Sequence, residues 1–106
     1  LDGSCYEGEL LNGMCNGKGV FYYKDGRRYE GEFLNDKKHG YGIFSSKSGA
    51  CYKGEWKNER RNGKGIMIYL YANIYEGDWK DDKRNGEGMF YDNNKNKWTN
   101  RLYENE

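Results

Sequence analysis

Four carboxylates recur along the chain at one fixed spacing, and they are the first candidates for chemistry. Glu9, Glu32, Glu55 and Asp78 are separated by 32−9 = 23, 55−32 = 23 and 78−55 = 23 residues. Two carboxyl groups that cooperate in acid–base catalysis lie within roughly 5–9.5 Å of each other. A two-stranded unit every 23 residues would place successive acids about 10 Å apart. We therefore expect these acids to accept hydrogen bonds from loop amides or to pair with basic residues of the same unit.

Other reactive residue types are scarce and scattered. The chain has one histidine, His39, whose counterparts in the other units are Asn16, Asn62 and Asn85, each directly before a glycine. Asn is favoured at turn positions with left-handed geometry, so we interpret His39 as a turn residue. One His and three dispersed Cys do not make a zinc site, and no Ser-His-Asp or Cys-His set is present. The sequence predicts a non-enzyme that binds no metal and no cofactor.

A Gly-x-Gly pair, as in Gly40-Tyr41-Gly42, recurs in every unit and could suggest a loop that cradles phosphate. Phosphate loops of that kind precede a helix whose N-terminus contributes its dipole, and no helix is predicted here. Recurrence in every unit favours a structural role for these glycines.

The elements that position these residues form a repeat of 23 residues. Tyr6, Tyr29, Tyr52 and Tyr75 open successive units, and Trp98 stands where a fifth opening would fall. A fixed period of this length is the signature of a repeat architecture. The predicted units are 6–28, 29–51, 52–74 and 75–97, preceded by the tail of an upstream repeat (1–5) and followed by a degenerate cap (98–106). The upstream tail is predicted because Asp2-Gly3 matches Asp25-Gly26 one period later.

Alternation within each unit predicts a β-hairpin, and hence an all-β chain. Positions one to six form the first strand, the polar positions seven to eleven the turn, and positions thirteen to eighteen the return strand. Glycines are fixed at positions three and fourteen, and at position three we expect the missing side chain to leave room for a ring. These structural glycines are Gly8, Gly31, Gly54, Gly77, Gly19, Gly42, Gly65 and Gly88.

Composition limits the function classes. With 106 residues the chain makes one small domain, and 17% aromatic residues against 35% hydrophobic residues suit a thin layer of rings. A net charge of +1 disfavours nucleic acid as a partner. No apolar run could span a membrane. Unpaired thiols (Cys5 and Cys51 would lie about 20 Å apart) and the absence of an Asn-x-Ser/Thr acceptor predict a cytoplasmic location.

The units resemble MORN repeats, the membrane occupation and recognition nexus motif, with the pattern Tyr-x-Gly-Glu-(Trp/Phe) followed by Gly-x-Gly. Residues 29–42 and 75–88 fit it closely; Leu10 departs from it, and Asn100 and Arg101 replace the Gly and the acid in the last unit. The resemblance implies a twisted single-layer β-solenoid with an aromatic-lined groove. It also implies a scaffold or protein-interaction module at a membrane–cytoskeleton junction, or an accessory array of a larger enzyme such as a lipid kinase or methyltransferase.

Two surfaces are predicted to bind partners. The first is an aromatic groove, which would bind a peptide, a helix or a second copy of the chain. Its rings could instead pack only on one another. The groove comprises Tyr6, Tyr29, Phe33, Tyr52, Trp56, Tyr75 and Trp79. A basic ridge at the hairpin turns would contact anionic or phosphoinositide-bearing membrane, unless the acids before each basic pair cancel its field. The ridge comprises Lys37, Lys38, Arg60, Arg61, Lys83 and Arg84, extended by Lys57 and Lys80.

Overall fold

The chain folds into one open antiparallel sheet of nine strands in sequence order. The structure, a computed structural model, describes residues 3–104, so Asp2 of the predicted upstream turn and the end of the predicted cap lie outside the described residues. A single 3-10 turn at Leu70–Ala72 is the one helical element in this part of the chain. The prediction of an all-β, single-layer hairpin array is confirmed. Its strands are β1 (Cys5–Leu11), β2 (Met14–Tyr22), β3 (Arg28–Leu34), β4 (Lys37–Ser45), β5 (Cys51–Lys57), β6 (Arg60–Ile68), β7 (Ile74–Lys80), β8 (Lys83–Asp92) and β9 (Lys97–Tyr103).

Each hairpin closes through only two residues, at positions seven and eight. Asn35 and Asp36 have φ of 49° and 69°, and Leu34 pairs directly with Lys37. Two successive positive φ values define a type I′ turn, which matches the right-handed twist of the strands it joins. The return strand therefore begins at position nine rather than thirteen, and the predicted five-residue turn is wrong. The four turns are Asn12-Gly13, Asn35-Asp36, Asn58-Glu59 and Asp81-Asp82.

The histidine is also placed differently from the prediction. His39 lies within β4, and the left-handed backbone falls on the next residue, Gly40, whose φ is 86°. The interpretation of His39 as a turn residue is therefore wrong. Its ring is half-buried, and Nδ1 has no hydrogen-bond partner within residues 3–104.

The hydrophobic core occupies one face of the sheet. Tyr52 pairs across its hairpin with Met67, and Trp56 pairs with Arg61, so positions one, five, ten and sixteen share a face because side chains alternate along a strand. We call this the inner face; positions two, six, nine and fifteen belong to the outer face. All the buried hydrophobic side chains of the described chain lie on the inner face: Tyr29, Phe33, Tyr52, Trp56, Tyr75 and Trp79.

These core rings form a ladder that links one repeat to the next. The Trp56 ring meets Tyr29 of the preceding unit at 5.5 Å and Tyr52 of its own unit at 5.2 Å, both edge to face. Trp79 repeats this between Tyr52 and Tyr75, with both centroid distances at 5.4 Å. Edge-to-face ring pairs stabilise by about 0.5–1.5 kcal/mol beyond their buried area. Each position-five ring thus couples two hairpins.

The paired glycines make the ladder possible. A Cβ on Gly65 would lie 2.1 Å from the Tyr52 hydroxyl oxygen, and a Cβ on Gly54 would lie 2.5 Å from the Gly65 Cα. The Tyr52 ring therefore lies flat over the glycine pair, and its hydroxyl donates to the Glu55 carbonyl at 3.0 Å. The expectation that a position-three glycine leaves room for a ring is confirmed.

The last strand is shifted by one residue. Thr99, and not Trp98, lies opposite Phe90; in the other units position one of the following unit takes this place, as Tyr52 does opposite Phe44. The connection before β9 leaves 98−91−1 = 6 residues between paired positions, whereas the connection before β3 leaves 28−22−1 = 5. The prediction that Trp98 opens a fifth unit is therefore wrong; its side chain is on the outer face, 42% exposed.

The shift preserves the ring ladder at this end of the sheet. Tyr103 now occupies position five, and its ring meets Tyr75 at 5.4 Å and 89°. Arg101, in place of the position-three glycine, has its guanidinium carbon 4.0 Å from the centroid of Phe90. Tyr103 thus continues the ladder from position five, and a cation–π contact takes the place of the glycine that this unit lacks.

Candidate partner-binding trough

The predicted groove residues form the floor of the inner face. Six of the seven are at most 7% exposed, and the seventh, Tyr6, is half-buried. The ring faces are therefore occupied mainly by one another, and little of their surface reaches solvent. Their direct contact with a partner stays a prediction.

A second row of side chains lies above this floor and remains accessible. At position sixteen it consists of Phe44, Met67 and their equivalents, and at position eighteen of Tyr23 and Tyr69, all half-buried against the core. We call this row the trough: Phe21, Tyr23, Phe44, Met67, Tyr69 and Phe90. The groove prediction did not include it, although the fixed Phe or Met at position sixteen was a usable signal.

Cations from position ten lie over the aromatic rings. Lys38 Nζ is 2.6 Å from Glu59 Oε1 and 3.1 Å from the Tyr23 hydroxyl, and four ring centroids surround it at 5.5–5.8 Å. Burial disfavours the Lys38 charge, but its hydrogen bonds to Glu59 and Tyr23 outweigh burial and raise the pKa of Lys38. Arg61 and Arg84 lie 4.6 Å above Trp79 and 4.4 Å above Tyr103. These cations therefore stabilise the inner face.

In three of the four turns an acid at position eight, namely Asp36, Glu59 or Asp82, ties the turn to the preceding repeat. The Asp82 amide donates to the Arg61 carbonyl at 3.0 Å, and the Arg61 amide donates to Asp82 Oδ1 at 2.8 Å. Asp36 makes the same two contacts with Cys15, at 2.9 and 2.7 Å. These bonds hold a residue with positive φ in place, and where position ten is a cation, as in Arg61, the carboxylate also forms an ion pair with it.

The position-four acids accept backbone hydrogen bonds, as expected. Glu55 Oε1 accepts from the Lys64 amide at 2.8 Å, and Glu9 Oε1 accepts from the Lys18 amide at 2.6 Å. The donors lie in the return strand rather than in a loop. Asp78 instead pairs with the Lys64 ammonium at 2.8 Å, and Lys64 belongs to the preceding unit, so the expected pairing within one unit is wrong here. Within residues 3–104, no group of three His, Cys, Asp or Glu side chains is placed to hold a metal ion.

The predicted basic ridge is divided between the two faces. Lys38, Arg61 and Arg84 lie on the inner face, whereas Lys37, Arg60 and Lys83 are exposed on the outer face. On that face two pairs of cations lie directly opposite each other across a hairpin: Lys57 with Arg60, and Lys80 with Lys83. None of the four forms an ion pair within the described chain. We call these four residues the outer basic cluster.

A single sheet of in-register hairpins, each adding one tyrosine and one position-five side chain to a shared row, defines a β-hairpin repeat protein. The family model for the MORN repeat matches four successive segments, 6–27, 29–51, 52–69 and 75–97. The chain belongs to the MORN repeat family. MORN repeats are generally non-catalytic modules for interaction with proteins or membranes.

No curated protein matches the chain significantly. In the part of the chain that the structure describes, no helix is long and apolar enough to cross a membrane.

Proposed function

We propose that this chain is a non-catalytic interaction module that binds a protein segment, helical or extended, along the trough. The observation that carries the proposal is a row of half-buried apolar side chains, among them Phe44, Met67 and Phe90, on a one-layer sheet. Within residues 3–104 no second layer covers this row. Aromatic and Met side chains are the types enriched at the centres of protein interfaces.

The setting of this binding is part of the proposal. We place the module in the cytoplasm, at a membrane–cytoskeleton junction, where it acts as a scaffold or as the accessory array of a larger enzyme. A second copy of the chain is one partner that the trough would accept. Sedimentation velocity over a range of concentrations distinguishes self-association from binding to another protein.

Selection from a displayed peptide library tests the trough. The selected peptides are titrated by calorimetry into the wild-type chain, into Met67→Glu and into Met89→Glu. Met67 lies in the trough, and Met89 is 43% exposed on the outer face, so the two variants carry the same change on opposite faces. We expect Met67→Glu to weaken binding at least tenfold and Met89→Glu to have little effect, with both chains folded by circular dichroism. Equal losses in the two variants would reject the trough.

A second candidate function is attachment to anionic membrane through the outer basic cluster. Like charges directly opposite on a sheet destabilise it, and here two such pairs lie side by side. An anionic surface would relieve this repulsion, and each Lys or Arg near the lipid contributes about 1 kcal/mol. The cluster is exposed, so a flat surface can reach it.

Flotation with phosphatidylcholine vesicles, with and without phosphatidylserine, tests this function. We expect binding that requires the anionic lipid, weakens with salt and is lost in Arg60→Ala/Lys83→Ala. Lys18→Ala/Lys53→Ala is the matched control, because it removes two exposed cations outside the cluster. Binding that survives loss of the cluster, or that ignores salt, would reject membrane attachment by this surface.

A further inference from the structure

One position of the trough breaks the repeat pattern. Position eighteen is Tyr23 in the first unit, Ser46 in the second, Tyr69 in the third and Asp92 in the fourth, and Ser46 is the one that lies between two tyrosine-bearing units. The hydroxyl of each tyrosine accepts a hydrogen bond from the position-ten cation of the following unit: Tyr23 from Lys38 at 3.1 Å, and Tyr69 from Arg84 Nη1 at 3.3 Å. A serine side chain is too short to supply either the ring or this acceptor.

The serine makes the same backbone hydrogen bonds as the tyrosines. The Ser46 amide donates to the carbonyl four residues later at 2.8 Å, and the equivalent bonds of Tyr23 and Tyr69 are 2.9 and 2.7 Å. Gly49 then donates back to the Ser46 carbonyl at 3.2 Å, as the residue at that position does in the other two connections at 3.1 Å. The first two connections share this backbone, with positive φ at Gly26 and Gly49, whereas the third also has positive φ at Tyr71; the hydrogen bonds at position eighteen are the same in all three.

The missing ring leaves an open pocket of about 350 Å³ between the second and third repeats. Its apolar walls include Tyr23, Phe44, Met67 and Trp56, and the charged residues in its lining are Arg27, Lys38, Glu59, Arg61 and Asp82. We call it the Ser46 pocket. Apolar and aromatic walls with a small number of polar groups are the usual form of a binding pocket.

Arg61 has an N–H donor that, in the other units, would bond to the hydroxyl of a position-eighteen tyrosine. Its Nε and Nη2 bind the Asp82 carboxylate and carbonyl at 3.1 and 2.9 Å, which leaves Nη1. In the next unit Nη1 of Arg84 is the atom that donates to Tyr69. The Ser46 pocket therefore offers space for an aromatic ring and a hydrogen-bond donor for a tyrosine hydroxyl.

We propose that the Ser46 pocket receives a tyrosine side chain of the bound partner. The ring packs between Phe44 and Met67, and the hydroxyl accepts a hydrogen bond from Arg61, as Tyr69 does from Arg84. This inference rests on the proposed function, since it names the anchor residue of the segment that lies in the trough. The partner supplies the ring that the second unit lacks between the tyrosines of the first and third units.

The test uses p-cresol, the tyrosine side chain as a small molecule, with toluene as the probe that lacks the hydroxyl. Binding is followed by NMR chemical shifts of the Phe44 and Met67 side chains. We expect p-cresol to bind the wild-type chain about fivefold more tightly than toluene, the factor that one net hydrogen bond confers. Failure of p-cresol to shift these signals, or equal affinity for the two probes, would overturn the tyrosine assignment.

Two substitutions at Ser46 complete the test. Ser46→Tyr fills the pocket with the chain's own ring, so we expect a higher midpoint of urea unfolding and loss of p-cresol binding. Ser46→Ala removes the same hydroxyl, which accepts from the Ala50 amide at 3.1 Å, yet leaves the pocket open and should still bind p-cresol. Equal p-cresol binding by Ser46→Tyr and Ser46→Ala would contradict the proposal. Selected peptides that are sensitive to Met67→Glu but indifferent to Ser46→Tyr would refute the tyrosine anchor while leaving the trough intact.

Discussion

Replacing Trp56 by alanine should remove much of the stability of the sheet. The side chain is 7% exposed, contacts rings in two repeats and donates its indole N–H to the Gly42 carbonyl at 3.2 Å. A buried tryptophan covers roughly 150–250 Å², which at about 25 cal/mol per Å² corresponds to about 4–6 kcal/mol. In the cores of other proteins, Trp→Ala substitutions lower the free energy of unfolding by about 3–5 kcal/mol, and we expect about 4 kcal/mol here. That is a large part of the roughly 5–15 kcal/mol of an ordinary domain.

Urea unfolding followed by circular dichroism measures this loss. Leu10→Ala is the matched control, because Leu10 holds the same position in the first unit but is 63% exposed; we expect a change below about 0.5 kcal/mol. Trp56→Phe keeps a ring, as Phe33 does one unit earlier, and loses the indole hydrogen bond, so it should cost about 1–2 kcal/mol. A Trp56→Ala loss as small as that of Leu10→Ala would refute the ladder as the source of stability.

Three further predictions concern the inner face. Burial raises the pKa values of Tyr29, Tyr52 and Tyr75 in the folded chain, so these tyrosines lose their protons at lower pH when the chain is unfolded. The free energy of unfolding should therefore fall as pH rises above about 10, and the absorbance of their phenolates should appear only on unfolding. Gly65→Ala should cost at least about 1–3 kcal/mol in urea unfolding because its Cβ would overlap the Tyr52 hydroxyl, and a neutral effect would contradict this packing. Asp82→Asn should cost about 0.5–1 kcal/mol and reduce the salt dependence of stability, since it weakens the half-exposed pair with Arg61; unchanged salt dependence would count against that pair.

The sequence was sufficient for the architecture because the same residue types recur four times in phase. Tyrosine, glycine and a large apolar residue at fixed positions specify which face is buried, and a strand period of two then specifies the hairpin. The turns were harder to locate. Only Asn12-Gly13 has the Asn-Gly signature of a type I′ turn, whereas Asn58-Glu59 and Asp81-Asp82 reach positive φ without glycine.

The error in the predicted turn also led to errors in which face carries each basic residue. Lys37 and Lys38 are neighbours in sequence, but once the return strand begins at position nine they must point to opposite faces. The position-eight acids bind residues 21 positions earlier, as Asp36 binds Cys15, and single-repeat patterns do not contain such contacts. The shift of β9 depends on one extra residue before the strand, which an unbroken count of 23 from Tyr75 to Trp98 conceals.

The central claim is that a protein partner binds along the trough on the inner face. The most direct measurement is a methyl and aromatic NMR titration of the chain with a selected peptide, which reports both faces at once. We predict that the shifted signals belong to Phe44, Met67 and Tyr69, while Ile66 and Met89 on the outer face stay unchanged. Shifts centred on Ile66 and Met89, with the trough signals unmoved, would contradict the account.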